Sequence, residues 1–162
     1  MSLTSLQASI EIAAAPDITL AAFQAIERWS AWYPGVVDAG WVAGEPWAVG
    51  AVMEVQVRNS LGLLVKSTAV VLPVDQPEKL CGRDRQIPTA QLCCWENRAP
   101  GLVTLCYAWA EATVDGGSRF TLQKFYRGPA VPLLRLLKGR QERMVQQGLQ
   151  TLRAQITMDN HR

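Results

Sequence analysis

IEIAAAPDITLAAFQAIERWSAWYPGVV, residues 10–37, contains the change of period that decides how the rest of the chain is read. Ile10 and Ile12 alternate with other residues, as in a strand with one buried face. Pro16 stops the alternation. Its fixed φ suits the first turn of a helix, and Asp17 beside it suits the positive end of the helix dipole. Ile18, Ala21, Ala22, Ala25, Ile26 and Trp29 then follow helical spacing. Pro34 disfavours helical geometry in Tyr33, so the helix is short, about three turns. Trp29, Trp32 and Tyr33 crowd together where it runs out. Trp29 ends the helical stripe and reads as an anchor against a sheet. Trp32 and Tyr33 follow it, and they read as the cap on the mouth of an interior cavity.

Downstream of this stretch the chain alternates between strand and turn. DAGWVAG (38–44), GAVMEVQVRN (50–59) and LLVKSTAVVLPV (63–74) come first. KLCGRDRQI (79–87) and AQLCCWENR (90–98) are two shorter candidates with a weak join, either one bent strand or two. LVTLCYAWAEATV (102–114) and SRFTLQKFYRG (118–128) flank DGG, the clearest hairpin signal in the chain. A tight turn there puts Tyr107 and Trp109 on one face with Phe120, Leu122 and Tyr126. Cys106, Ala108, Ala110, Thr121 and Gln123 fall on the other, and the aromatic face is expected inward. One long helix closes the chain from near Pro132, with Leu134, Leu137, Val145, Gly148, Leu152 and Ile156 on its apolar stripe.

The chain has 162 residues, 49% of them apolar and 19% charged, which favours one globular domain spanning 1–162. The expected class is α+β. A curved antiparallel sheet of about seven strands has one face to bury, and only the last helix is long enough to cover it. A curved sheet touches a helix along a line, so gaps remain beside it, and the two short helices after the first strand plug one end.

These segments resemble the START/Bet v 1-like helix-grip superfamily, in particular its polyketide cyclase/dehydrase branch. The resemblance rests on Ala15-Pro16, then Arg28-Trp29, Trp32 and Pro34, then GAVMEV, DGGSRFT, FYRGP and the closing helix in that order. It covers nearly the whole chain and implies a seven-stranded antiparallel sheet gripping the C-terminal helix around an apolar pocket. Family members that cyclise polyketides carry an arginine on the strand after the long turn. LLVKSTAVV here offers only Lys66 and Ser67, with Lys66 expected to face solvent, and this departure weakens an enzymatic reading.

The expected function is therefore binding of a hydrophobic small molecule (a lipid, quinone, polyketide or aromatic metabolite) between sheet and closing helix. The alternatives are an aromatase/cyclase and a protein-interaction module of the same fold. The candidate ligand-binding residues are Trp32, Tyr33, Met53, Val55, Trp95, Tyr107, Trp109, Leu137, Gln141 and Val145. Gln141 stands out because it lies in the middle of the apolar stripe. A buried amide without partners costs roughly 1–3 kcal/mol, so water, a ligand or a sheet residue must satisfy it.

Other chemistries lack their parts. The sole histidine, His161, is next to the end, which leaves a Ser-His-Asp or Cys-His arrangement without its base. Cys81, Cys93, Cys94 and Cys106 have no C-x-x-C spacing, so neither a metal nor another cofactor is expected. They read as reduced thiols of a cytoplasmic protein, with no signal-peptide pattern at residues 1–10 and no apolar run of membrane-spanning length. A net charge of +2 does not suggest nucleic acid. From residue 116 onward, however, nine basic side chains face two acidic ones. That face, with Leu133 and Leu136 among Arg135, Lys138 and Arg140, is where an anionic membrane or an acidic partner would make peripheral contact.

Overall fold

The structure is a computed structural model that describes residues 4–59, 61–74 and 92–162. Seven strands form one antiparallel sheet: β1 (Thr4–Ile12), β2 (Val36–Ala43), β3 (Val52–Arg58), β4 (Leu64–Val71), β5 (Leu92–Ala99), β6 (Leu102–Ala112) and β7 (Ser118–Arg127). Their spatial order is β1-β7-β6-β5-β4-β3-β2. The candidate strand 79–87 lies outside the described residues, and of the candidate 90–98 the described part, from Leu92 onward, lies in β5. Helix α1 (Pro16–Gln24) and a 3-10 turn (Ile26–Ala31) join the two edge strands. Two register shifts between β2 and β3, at Val36/Asp38 and Trp41/Ala43, add local twist at that edge.

Pro16 opens α1 with Asp17 in its first turn, as the sequence suggests. The buried face differs from the expected one. Ile18 is exposed, whereas Thr19, Leu20 and Phe23 are buried. Phe23 becomes the hub of an aromatic cluster, with ring centroids 5.4 Å from Trp29, 5.5 Å from Trp95, 5.3 Å from Phe120, 5.8 Å from Trp47 and 6.0 Å from Trp32.

The closing helix is not continuous from Pro132. A short α2 (Val131–Leu136) and a long α3 (Lys138–Asp159) meet at Leu137, whose backbone sits at φ −100°, ψ 4°. The Leu137 N–H bonds to Leu134 O in a tight turn, and Gly139, a weak helix former, follows the break. The break separates two tasks. The buried residues of α3 are Val145, Gly148, Leu149, Leu152 and Ile156, all in its C-terminal two-thirds. Leu134 and Leu137, by contrast, face a hollow.

Gly148 explains how α3 docks on the Trp32–Pro34 turn. A Cβ at this position would lie 2.6 Å from Pro34 Cδ and 2.7 Å from the Trp32 carbonyl oxygen. Only glycine permits this approach.

The β6–β7 hairpin corrects the expected register. The connection is Thr113–Gly117, with Thr113 N–H bonded to Gly117 O. Asp115 holds it by accepting from the Thr113 hydroxyl and from Gly117 N–H, and Gly116 supplies a φ of 84°. Ala110 therefore pairs with Phe120 and Ala108 with Leu122, while Trp109 faces Thr121 and Tyr107 faces Gln123. A one-residue difference in pairing moves every side chain to the other face. Ala108 and Ala110 are on the concave face beneath Phe120 and Leu122, and Tyr107 and Trp109 are on the convex one. There Trp109 packs with Leu92, Val74 and Tyr107 in a cluster separate from the main core.

Candidate functional site

Alternation along the strands sends Met53, Val55 and Val57 of β3 to the concave face, with Cys93, Trp95, Asn97 and Ala99 of β5. Cys106 and Thr104 of β6 and Phe120, Leu122, Lys124 and Tyr126 of β7 join them. The concave space is divided along the strands. Toward α1 it is solid: Met53, Trp95, Phe120 and Leu122 are buried with Phe23, Trp29 and Ile26. Toward α2 it is hollow, enclosing a cavity of about 310 Å³.

Val55, Ser67, Thr104 and Tyr126 form the buried floor of that cavity, and Trp29, Tyr33 and Pro34 form one wall. Leu134 and Leu137 lie across it from the helical side. The mouth is rimmed by Leu61, Pro100 and Leu133, all exposed, so the entrance lies among the β3–β4 and β5–β6 turns and α2.

The sequence-derived site residues divide accordingly. Tyr33, Val55 and Leu137 border the cavity. Trp32, Met53, Trp95 and Val145 are packed into the main core, and Trp32 turns toward α3 rather than to the mouth. Gln141 is partly buried one turn beyond Leu137 but does not border the cavity. Tyr107 and Trp109 lie on the opposite side of the sheet, as the hairpin register dictates. Trp29, read as an anchor, does both jobs: its Nε1 donates to Phe23 O at 2.7 Å while its ring forms cavity wall.

Lys124, Asn97 and Thr104 are polar lining residues that the sequence reading did not single out, and Ser67, named there only beside Lys66, joins them. The signal was present in strand parity, since Lys124 lies between Leu122 and Tyr126 at a spacing of two and so shares their inward face. Lys124 Nζ lies 4.7 Å from the centroid of the Tyr33 ring, an attractive placement for a cation over a π face. Asn97 Nδ2 reaches Cys106 Sγ at 3.6 Å, and Asn97 Oδ1 is buried with no partner among the described residues.

Burial sets the protonation of the neighbouring acids. It pushes the Cys106 thiol up to about 11, partly offset by Lys124 and Asn97. It pushes the Tyr126 phenol up to about 12 and the Tyr33 phenol well above its usual value. Desolvation favours the neutral form of each, so all three keep their protons at neutral pH and offer O–H or S–H donors. Lys66 faces solvent as expected and pairs with Glu54 at 2.9 Å, whereas Ser67 beside it is buried in the cavity floor. Glu96 is held by Arg98 at 2.7 Å and Arg127 at 2.9 Å. Among the described residues no group of three or more His, Cys, Asp or Glu side chains is placed to hold a metal, and no helix is long and apolar enough to cross a membrane.

A sequence model described as polyketide cyclase / dehydrase and lipid transport matches residues 4–157. The chain belongs to this family. Its fold is that of solved polyketide cyclase-like and START-like structures. The Zhui aromatase/cyclase from Streptomyces sp. R1128 superposes with a TM-score of 0.72 at 12% identity, covering 96% of this chain and 94% of that one. A protein from Thermus thermophilus, TTHA0849, gives 0.72 at 14%, covering 96% and 99%. A START superfamily protein from Mycobacterium smegmatis gives 0.70 at 9%, covering 97% and 99%. At such identities the likeness is one of fold. No curated protein matches the chain. Membership of the polyketide cyclase / dehydrase and lipid transport family agrees with a hydrophobic hollow between sheet and helix.

Proposed function

We propose that this chain binds a compact hydrophobic molecule, non-covalently, in the cavity between the concave sheet and α2. The observation that carries the reading is the hollow itself: about 310 Å³, with a buried floor and an entrance rimmed by exposed Leu61 and Leu133. That volume is at the lower end of the roughly 300–1,000 Å³ typical of small-molecule pockets. It suits a guest of one or two rings better than a long acyl chain. The walls are largely aliphatic and aromatic, with a few polar groups to orient a guest, which is how such sites combine affinity with selectivity.

The test uses 1-aminoanthracene, a fluorescent aromatic that is neutral at pH 7. The wild-type chain is expected to bind it and enhance its emission. Val57→Trp, which places an indole in the cavity, is expected to abolish that binding while keeping a cooperative thermal transition. Equal probe affinity in Val57→Trp and wild type would remove the cavity from the reading.

A further inference from the structure

The cavity wall carries one formal charge. Among the described residues that border it, Lys124 is the one basic side chain, and no Asp, Glu, Arg or His joins it. The neighbouring bases on β7 make the contrast. Arg119 and Arg127 point to the convex side and pair with Glu11 and Glu96, each at 2.9 Å. Lys124 points inward and has no ion pair to any carboxylate among the described residues. Its visible compensation is the Tyr33 ring, 4.7 Å away. An ammonium drawn from water into an apolar hollow is costly unless a counter-charge or several hydrogen bonds meet it.

The surroundings are arranged as a polar row on an otherwise apolar wall. Lys124 pairs across β6 with Cys106, and Cys106 meets Asn97 of β5. Tyr33 and Tyr126 border the same hollow and bring phenolic O–H groups. We infer that the guest is a hydrophobic carboxylate, with its ring system against Trp29, Val55 and Leu134 and its carboxylate paired with the Lys124 ammonium. The unpartnered Asn97 Oδ1 would accept from a hydroxyl on such a guest. This rests on the cavity-binding reading above and narrows it to one ligand chemistry.

Two probes of the same shape test it: 2-naphthoate and its neutral counterpart 2-naphthamide, titrated by calorimetry at pH 7.5. Wild type is expected to prefer naphthoate by about tenfold or more, the value of one charge-assisted hydrogen bond in a partly dry site. Lys124→Met, close in length and uncharged, is expected to lose the preference, so that it binds naphthoate no more tightly than naphthamide. A cooperative thermal transition reports that the variant is folded. Equal affinities in wild type, or a preference that survives in Lys124→Met, would overturn the carboxylate assignment. If Val57→Trp still abolished naphthamide binding, cavity binding itself would stand. Failure of wild type to bind either probe would overturn both.

Discussion

Gly148→Ala adds one methyl group where α3 crosses the Trp32–Pro34 turn. The new carbon would lie 2.6 Å from Pro34 Cδ, 2.7 Å from the Trp32 carbonyl oxygen and 2.8 Å from Pro34 Cγ. All three are too close for a Cβ, and a proline ring and a backbone carbonyl cannot swing aside as a flexible side chain would. The helix must back away, loosening the contacts of Leu149 and Leu152, both essentially fully buried. Overpacking of this kind costs about 1–3 kcal/mol. Alanine also gains up to about 1 kcal/mol of helix propensity over glycine. The net expectation is a loss of about 1–2 kcal/mol, or a fall of roughly 3–6 °C in Tm for a chain of this size. Gly139→Ala is the matched control, because the nearest atom to its added Cβ is the flexible tip of Arg143 at 4.0 Å. It should leave Tm unchanged or raise it slightly. Thermal denaturation followed by circular dichroism reads both. A Gly148→Ala chain as stable as Gly139→Ala would refute the close helix–turn contact.

Four further outcomes follow from the same coordinates. Gln141→Leu is expected to leave 1-aminoanthracene affinity unchanged, because Gln141 does not border the cavity; a severalfold change in the fluorescence titration would place it there. Trp29→Phe should destabilise more than Trp32→Phe, by about 1 kcal/mol or more in urea denaturation. The Trp29 Nε1–H is bonded to Phe23 O at 2.7 Å, whereas Trp32 Nε1 is buried without a partner among the described residues; equal losses would count against that difference. Stability should fall at alkaline pH. The Cys93 and Cys106 thiols are raised from 9.0 to about 11 in the fold, so their contribution is intact below about pH 9 and lost as pH climbs toward 11. The loss is on the order of 2 kcal/mol per thiol, and Cys106→Ala should flatten melts recorded from pH 7.5 to 10.5. Single-cysteine chains retaining Cys93 or Cys106 should react with a disulfide reagent at pH 7 far more slowly than free thiol, since thiolate is the attacking form; fast labelling would contradict their burial.

The architecture was legible wherever a period held for several residues. Ile10 and Ile12, Pro16, the alternation around Met53 and the stripe from Val145 to Ile156 each named their element correctly. What could not be read was parity across a loop. DGG is part of a longer connection, Thr113–Gly117, held by the Asp115 side chain binding back to Thr113 and Gly117. The pairing it sets places Cys106, Ala108 and Ala110 inward in place of Tyr107 and Trp109. Several large apolar positions expected at a cavity lie instead in the packed core. Trp32, Trp95 and Met53 are large and apolar enough to suit either a pocket or a core, and composition does not say which end of the sheet is filled. Phe23 is the clearest omission: it occupies the centre of the aromatic cluster, yet lies off the helical spacing that Ile18, Ala21, Ala22 and Ala25 define along α1.

The partition of the concave face into a packed aromatic end and an empty aliphatic end has a consequence for how this chain tolerates change. The rings of Phe23, Trp29 and Trp95 pack on one another, while under the proposed function selectivity for a guest would be set by smaller residues such as Val55, Val57, Ser67 and Ala99 that line the cavity. Exchanges at those four positions can reshape what is admitted without disturbing the ring cluster that fixes the strands. Trp29 and Tyr33 belong both to the ring cluster and to the cavity wall, which makes them positions where altering the guest and keeping the scaffold come into conflict.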